Sequence, residues 1–331
     1  MIKKIQNFTF YLLTGCACLF VIGCSNDDDD DELGNWVVRS VFDGSPRSSV
    51  SGFTIGNIGY MGVGYDGEDY LSSFWSYDID GDYWSQKADF PGVGRSAAVG
   101  FNVGEIGYIG SGYDGLNELN DFYAYNPSSN SWTQIAEFPD TARRNAVAFG
   151  TNGYGYFGTG FDGDNDRKDF WRYDPTANTW TEIVGFGGNK RRGATTFKID
   201  EKVYLGTGVS NGEYVTDFWV FDPTTEAWTA LLDLDEEDDY NIARAYGMAF
   251  EQGGYGYIAC GDLGGTVSTV WQYNPVSDTW ELKTAFEGSS RRDGIAFSNS
   301  TKAFVGMGRT GSLYLDNLKE FYPFDEYEEE D

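Results

Sequence analysis

Six arginines keep one ruler along this chain. Arg47, Arg95, Arg143, Arg191, Arg244 and Arg291 each stand six residues before a phenylalanine: Phe53, Phe101, Phe149, Phe197, Phe250 and Phe297. Each phenylalanine stands eleven residues before a glycine: Gly64, Gly112, Gly160, Gly208, Gly261 and Gly308. Successive arginines lie 47 to 53 residues apart. A period of this length, in units that read as strands, constrains the fold more than any local motif. Such units bury their faces only against their neighbours, in a ring or a stack.

Each unit carries four extended runs parted by turn residues. The first runs from the arginine to the phenylalanine. The second places an aromatic four residues before the marker glycine (Tyr60, Tyr108, Tyr156, Tyr204, Tyr257, Phe304). The third is an aromatic run such as Phe74–Asp78, dense in strand formers. The fourth opens at Trp84, Trp132, Trp180, Trp228 or Trp280. One unit is one four-stranded blade, and the fold class is all-β.

These units resemble kelch repeats, and six of them imply a six-bladed kelch-type β-propeller over residues 35–325. One feature departs from that pattern. The first glycine of the usual Gly-Gly doublet is replaced by Val63, Ser111, Thr159, Thr207, Cys260 or Met307. The sixth unit ends after Phe321–Asp325 without its outer tryptophan, and residues 326–331 form an acidic tail. Trp36 lies eleven residues before Arg47, the gap that also separates Trp84 from Arg95. The segment Trp36–Phe42 is therefore expected to complete the last blade and close the ring. All ten tryptophans fall in the third or fourth run, so they are read as packing between blades rather than as a sugar-stacking surface.

Residues 1–23 read as a secretion signal: Lys3 and Lys4, then a short apolar core from Phe8 to Ile22. The run Val21-Ile22-Gly23-Cys24 resembles a bacterial lipobox, which implies cleavage before Cys24 and acylation of its thiol. Residues 24–34 hold an acidic run, Asp27 to Glu32, expected to act as a solvated tether. Its place after the cysteine resembles the surface-export signal of Bacteroidota lipoproteins. The expected location is the outer membrane, facing outward, with a periplasm-facing spacer as the alternative.

Charge and composition exclude several classes. The chain has 23 basic and 52 acidic residues, and the signal removes two lysines and no acid, leaving 21 − 52 = −31. Such a surface repels nucleic acid and anionic lipid, so membrane contact is expected through the anchor alone. Cys16 and Cys18 leave with the signal, so Cys260 stays as an unpaired core thiol. There is no histidine, which removes imidazole triads and imidazole metal sites. The copper chemistry of galactose oxidase, another kelch propeller, is excluded with them. Asp78–Asp82 and Asp162–Asp166 have the alternating acids of a Ca²⁺ loop but no Glu at the twelfth position. No cofactor is expected, and Ca²⁺ is the one ion this pattern leaves open.

In a propeller the fourth-to-first and second-to-third connections share a face. That places the repeated Arg47, Arg95, Arg143, Arg191, Arg244 and Arg291 at one mouth of the channel, with Arg144, Arg192 and Arg292 beside them. Tyr65, Asp66, Tyr113, Asp114, Phe161 and Asp162 follow the marker glycines onto the same face. Arginine forks suit carboxylates and aromatic rings suit sugar faces, which makes this a candidate binding mouth. The alternative for the repeated arginines is structural, each paired to a nearby aspartate. Departures from the repeat point more strongly to function: the acidic insertion Asp233–Asp239 and the Arg309–Asn317 loop, which reads as longer than its copies.

The expected function is a non-catalytic binding or scaffold module, a monomeric propeller whose partner is a glycan or an envelope protein. The enzymatic alternative is a sugar-acid mutarotase or epimerase, because an envelope kelch propeller acts on sialic acid that way. Such ring-opening needs only a carboxylate and arginines. No residue is assigned a catalytic role.

Overall fold

The computed structural model describes residues 33–237 and 240–328. The signal, Cys24, the acidic run of the tether, Asp238, Asp239 and the last three residues lie outside the described residues. Six four-stranded antiparallel sheets are arranged as the blades of a propeller. In the third blade, Val147–Thr151, Tyr154–Gly158, Phe170–Asp174 and Thr179–Ile183 pair in chain order, and the first, second, fourth and fifth blades repeat this.

The sixth blade is assembled from both ends of the chain. Ile295–Ser298, Ala303–Gly306 and Leu318–Glu326 supply three strands, and Leu33–Val38 supplies the outer one. Trp36 stands opposite Phe321, their rings stacked at 4.4 Å. Burying an indole this completely contributes roughly 4–6 kcal/mol gross, as an upper bound. The pairing begins at Leu33 and reaches Glu326, so the expected tether and tail boundaries each yield residues to the strand.

The ruler has a mechanical cause. The N–H of each marker glycine donates to the carbonyl of the repeated arginine in the next blade. Gly160 reaches Arg191 at 2.8 Å, and Gly308 returns to Arg47 at 2.9 Å. Those glycines take φ of 88 to 113°, a region open to glycine. The residue before each, where a second glycine was missing, also sits left-handed: Val63 at 56°, Thr159 at 59° and Thr207 at 61°. The conformation survives without its usual residue, at a cost of about 1–2 kcal/mol for each β-branched side chain.

Two expectations about the loops are corrected. The Arg309–Asn317 loop is no longer than its copies, since Gly62 pairs with Phe74, Gly158 with Phe170 and Gly306 with Leu318, each twelve residues on. No described residue of the insertion Asp233–Asp239 lines the mouth cavity, and the segment is anchored in the blade on both sides. Leu234 and Ile242 are fully buried, and the Tyr240 hydroxyl donates to the Trp280 carbonyl at 2.9 Å. Cys260 is fully buried in the second strand of the fifth blade, and burial pushes its thiol up to about 12.

The candidate ligand mouth

Backbone geometry builds the mouth before any side chain does. The residue after each repeated arginine bridges to the residue after a marker glycine: Ser48 to Tyr65, Ser96 to Tyr113, Arg144 to Phe161, Arg192 to Val209, Ala245 to Asp262 and Arg292 to Arg309. The next residue in each blade is left-handed: Ser49, Ala97, Asn145, Gly193, Tyr246 and Asp293, with φ of 52 to 63°. Their amides donate round the ring in sequence. Ala97 reaches Ser49, Asn145 reaches Ala97, Gly193 reaches Asn145, Tyr246 reaches Gly193, Asp293 reaches Tyr246, and Ser49 reaches Asp293, at 2.7 to 3.0 Å. This closed collar fixes where the six positions point.

The repeated arginines do not line this mouth. Arg47, Arg95, Arg143, Arg191, Arg244 and Arg291 are at most 2% exposed. Each donates its Nε to a carbonyl two residues back and Nη1 to the carbonyl sixteen ahead, as Arg143 does to Thr141 and Thr159. Arg95, Arg143 and Arg191 also pair with Asp121, Asp169 and Asp217. Arg47, Arg244 and Arg291 hydrogen-bond only to neutral groups, and burial lowers each to about 10. Five of the six lie over a phenylalanine five residues earlier, at 4.4 to 5.1 Å. Buried and bonded inside the blade, these side chains tie strands and do not face the mouth.

The mouth belongs to a second set. A cavity of about 460 Å³ is lined by Arg144, Arg192, Arg292 and Arg309, with Tyr70, Tyr113, Phe161, Tyr246 and Asp293. The four arginine side chains are 26 to 30% exposed. Each is held from one side by a carboxylate: Glu118 at 3.5 Å, Asp166 at 2.9 Å, Asp262 at 3.1 Å and Asp293 at 3.4 Å respectively. Aromatic faces hold Arg144, Arg192 and Arg292 from another side. Arg144 lies 4.3 Å over Tyr113, and Arg192 lies 4.5 Å over Phe161. A tyrosine arc continues the rim, with Tyr314, Tyr65, Tyr70 and Tyr113 in successive contact at 4.8 to 6.0 Å.

Asp293 is the carboxyl at the centre of this charge. Its side chain is 9% exposed, and burial raises its pKa against the opposing pull of Arg292 and Arg309. A carboxyl so placed can hold a proton and can also give up its guanidinium partners to a ligand.

Of the residues expected from sequence, Arg144, Arg192, Arg292, Tyr113 and Phe161 meet at the cavity, and Tyr65 supports it through Tyr70. Asp66, Asp114 and Asp162 instead cap their own loops, each accepting two backbone N–H groups. Those bonds, from Asn117 first, hold Asp114 below the usual carboxylate range. The Asp78 carboxylate likewise accepts the Asp80 and Gly81 amides. The first acid of each alternating run, Asp78 and Asp162, thus serves as a turn cap. Tyr70, Tyr246 and Asp293 were missed, although Tyr246 and Asp293 occupy the second place after the repeated arginine, where other blades carry Ser, Ala, Asn or Gly.

Fold and mouth together define the class: a six-bladed β-propeller with an open mouth, an architecture suited to binding and scaffolding. A family model described as the Kelch motif matches residues 112–139, in the second blade. The solved structure of YjhT shares the fold, with a TM-score of 0.73 at 18% identity, covering 84% of this chain and 96% of that one. No curated protein matches the chain.

Proposed function

We propose that the chain is a lipid-anchored binding module of the cell envelope whose mouth takes a sugar acid. The observation that carries this reading is the convergence of four part-exposed arginines on one cavity, in a chain of net charge −29. Guanidinium forks pair with carboxylates, and the adjoining Tyr and Phe rings offer faces for the apolar side of a pyranose. The outer strand at Leu33 begins beside Glu326, on the face opposite the mouth. A lipid on Cys24 would join the propeller through the nine residues that lead to this strand. The location proposed with it is the outer membrane, facing outward.

Titration of the mature protein with galacturonic acid, N-acetylneuraminic acid and galactose tests the reading by tryptophan fluorescence or calorimetry. Binding of either acid but not galactose, weakened at least about tenfold by Arg292→Ala, is expected. Equal binding of galactose, or no binding of either acid, removes it. In the second case an envelope protein becomes the partner to seek. Acylation at Cys24 is checked separately, by mass spectrometry of the N-terminal peptide and by release of Cys24→Ala from membranes.

Asp293 supports a second reading, ring-opening of a bound sugar acid. A buried carboxyl with a raised pKa, facing a cavity beside Arg292 and Arg309, suits proton transfer to and from a bound sugar. Faster anomer exchange by NMR, lost in Asp293→Asn while binding persists, would establish it. Unchanged exchange at saturating protein would leave binding alone.

A further inference from the structure

The junction of the third and fourth blades departs from the repeat in a way the mouth does not absorb. Beside it lies a groove of about 480 Å³, on the same face, lined in part by Asp166, Lys168, Asp169 and Lys190. The place of Lys168 is filled in the other blades by Ser72, Asn120, Thr216, Ser268 and Asp316. The place of Lys190, just before the repeated arginine, is filled by Pro46, Gly94, Ala142, Ala243 and Ser290. Two lysines thus appear together at one junction of six, in a chain where acids outnumber bases 52 to 23.

The groove's carboxylates are already engaged. Asp166 accepts from Arg192 at 2.9 Å and from the Asn211 amide at 2.8 Å. Asp169 accepts from Arg143 and Trp171, each at 2.9 Å. Arg167 is surrounded by Asp140, Asp162 and Asp169 at 2.9 to 3.5 Å. Neither lysine ammonium has a hydrogen-bond or ion-pair partner among the described residues. The free charge of the groove is therefore cationic.

Groove and mouth share a wall. Arg192 lines the mouth, Asp166 lines the groove, and the ion pair between them is the partition. We propose that the groove is a second anion subsite, and that the ligand is an acidic oligosaccharide. One sugar acid sits in the mouth, and a neighbouring acid group along the same chain meets Lys168 and Lys190. This rests on the sugar-acid reading of the mouth and adds to it the length and charge spacing of the ligand. Two sites engaged by one molecule raise its affinity without any new contact at the first.

The test compares galacturonic acid with its α-1,4-linked trimer on the mature chain. The trimer is expected to bind at least about tenfold tighter than the monomer. In the Lys168→Ala, Lys190→Ala double variant the monomer is expected to bind as before, and the trimer to fall to the monomer's level. Arg292→Ala weakens both ligands. Lys202→Ala, which removes a cation from the start of a second strand on the far face, leaves both unchanged. A trimer that binds no tighter than the monomer, or that keeps its advantage in the double variant, overturns the groove while the mouth stands. If neither ligand binds, the sugar-acid reading of the mouth falls and the groove falls with it.

Discussion

The Ser49 amide donates to the Asp293 carbonyl at 2.7 Å, joining the first blade to the last and completing the collar around the mouth. The outer strand Leu33–Val38, paired to the last blade and leading into the first, holds the same two blades in one ring. The collar and the strand pairing are therefore two halves of one closure.

Trp36→Ala should cost about 3–5 kcal/mol, the range for a fully buried aromatic. Val38→Ala, at an exposed place on the same strand, should stay within about 0.5 kcal/mol. Urea unfolding gives both values. Amide exchange separates closure from general loss of stability, because Trp36→Ala should speed exchange at Ser49 more than at Gly193, on the fourth blade. Equal acceleration at both would show that the collar does not depend on the outer strand.

Stability should decline at alkaline pH. Burial holds Tyr77, Tyr125, Tyr156, Tyr173, Tyr257 and Tyr273 in the neutral form, Tyr125 up to about 12. Their contribution is complete below the ordinary tyrosine value of 10 and is lost as pH rises through the folded values. Arg47, Arg244 and Arg291 act in the opposite sense. Each is lowered to about 10, so the penalty of a buried cation is relieved above that pH. Burial lowers Arg191 as well, and six tyrosines against four arginines leave a net loss. The urea midpoint should hold steady up to about pH 9 and fall by about pH 11, and Tyr125→Phe should reduce the slope. A midpoint flat through that range would mean the tyrosines are not buried as described.

Blade-to-blade contact explains a glycine that no turn requires. A Cβ on Gly150 would stand 1.7 Å from the Asn102 carbonyl oxygen of the neighbouring blade. Gly150→Ala should therefore push the second and third blades apart, costing about 1–3 kcal/mol or more. Gly265→Ala, with open space around it, should change stability by less than about 0.5 kcal/mol. Thermal unfolding of the pair is decisive, and equal melting temperatures would contradict the close approach.

The ring was legible because its constraints are local and repeated. Arg, Phe, Gly and Trp recur where each blade must bond or pack, and the unmatched Trp36 identified the closing strand before any pairing was known. The mouth was only half legible. Repetition drew attention to the first arginine of each unit, yet a residue required six times over is more readily explained by the blade than by a ligand. Phe42, Phe90, Phe138, Phe186 and Phe286, each five residues before such an arginine, were the available sign that its guanidinium is covered. Asp293 was illegible for another reason. Its meaning depends on Arg309, sixteen residues on, being folded back beside it by the Arg292–Arg309 bridge.

That arrangement makes anion binding depend on pH. Asp293 competes with any ligand for Arg292 and Arg309, both 3.4 Å from its Oδ2, while Asp262 holds Arg292 from the other side. Its raised pKa means that it takes up a proton before an ordinary carboxyl does as pH falls. Protonation frees Arg309, and the Nε of Arg292, from Asp293 while a sugar carboxylate is still ionised, so affinity for the acid should rise as pH drops from neutrality toward the ordinary carboxylate range. Asp293→Asn should bind more tightly at neutral pH and lose this dependence. Calorimetry with galacturonic acid at several pH values measures both effects, and a wild-type affinity independent of pH would show that Asp293 does not compete for the arginines.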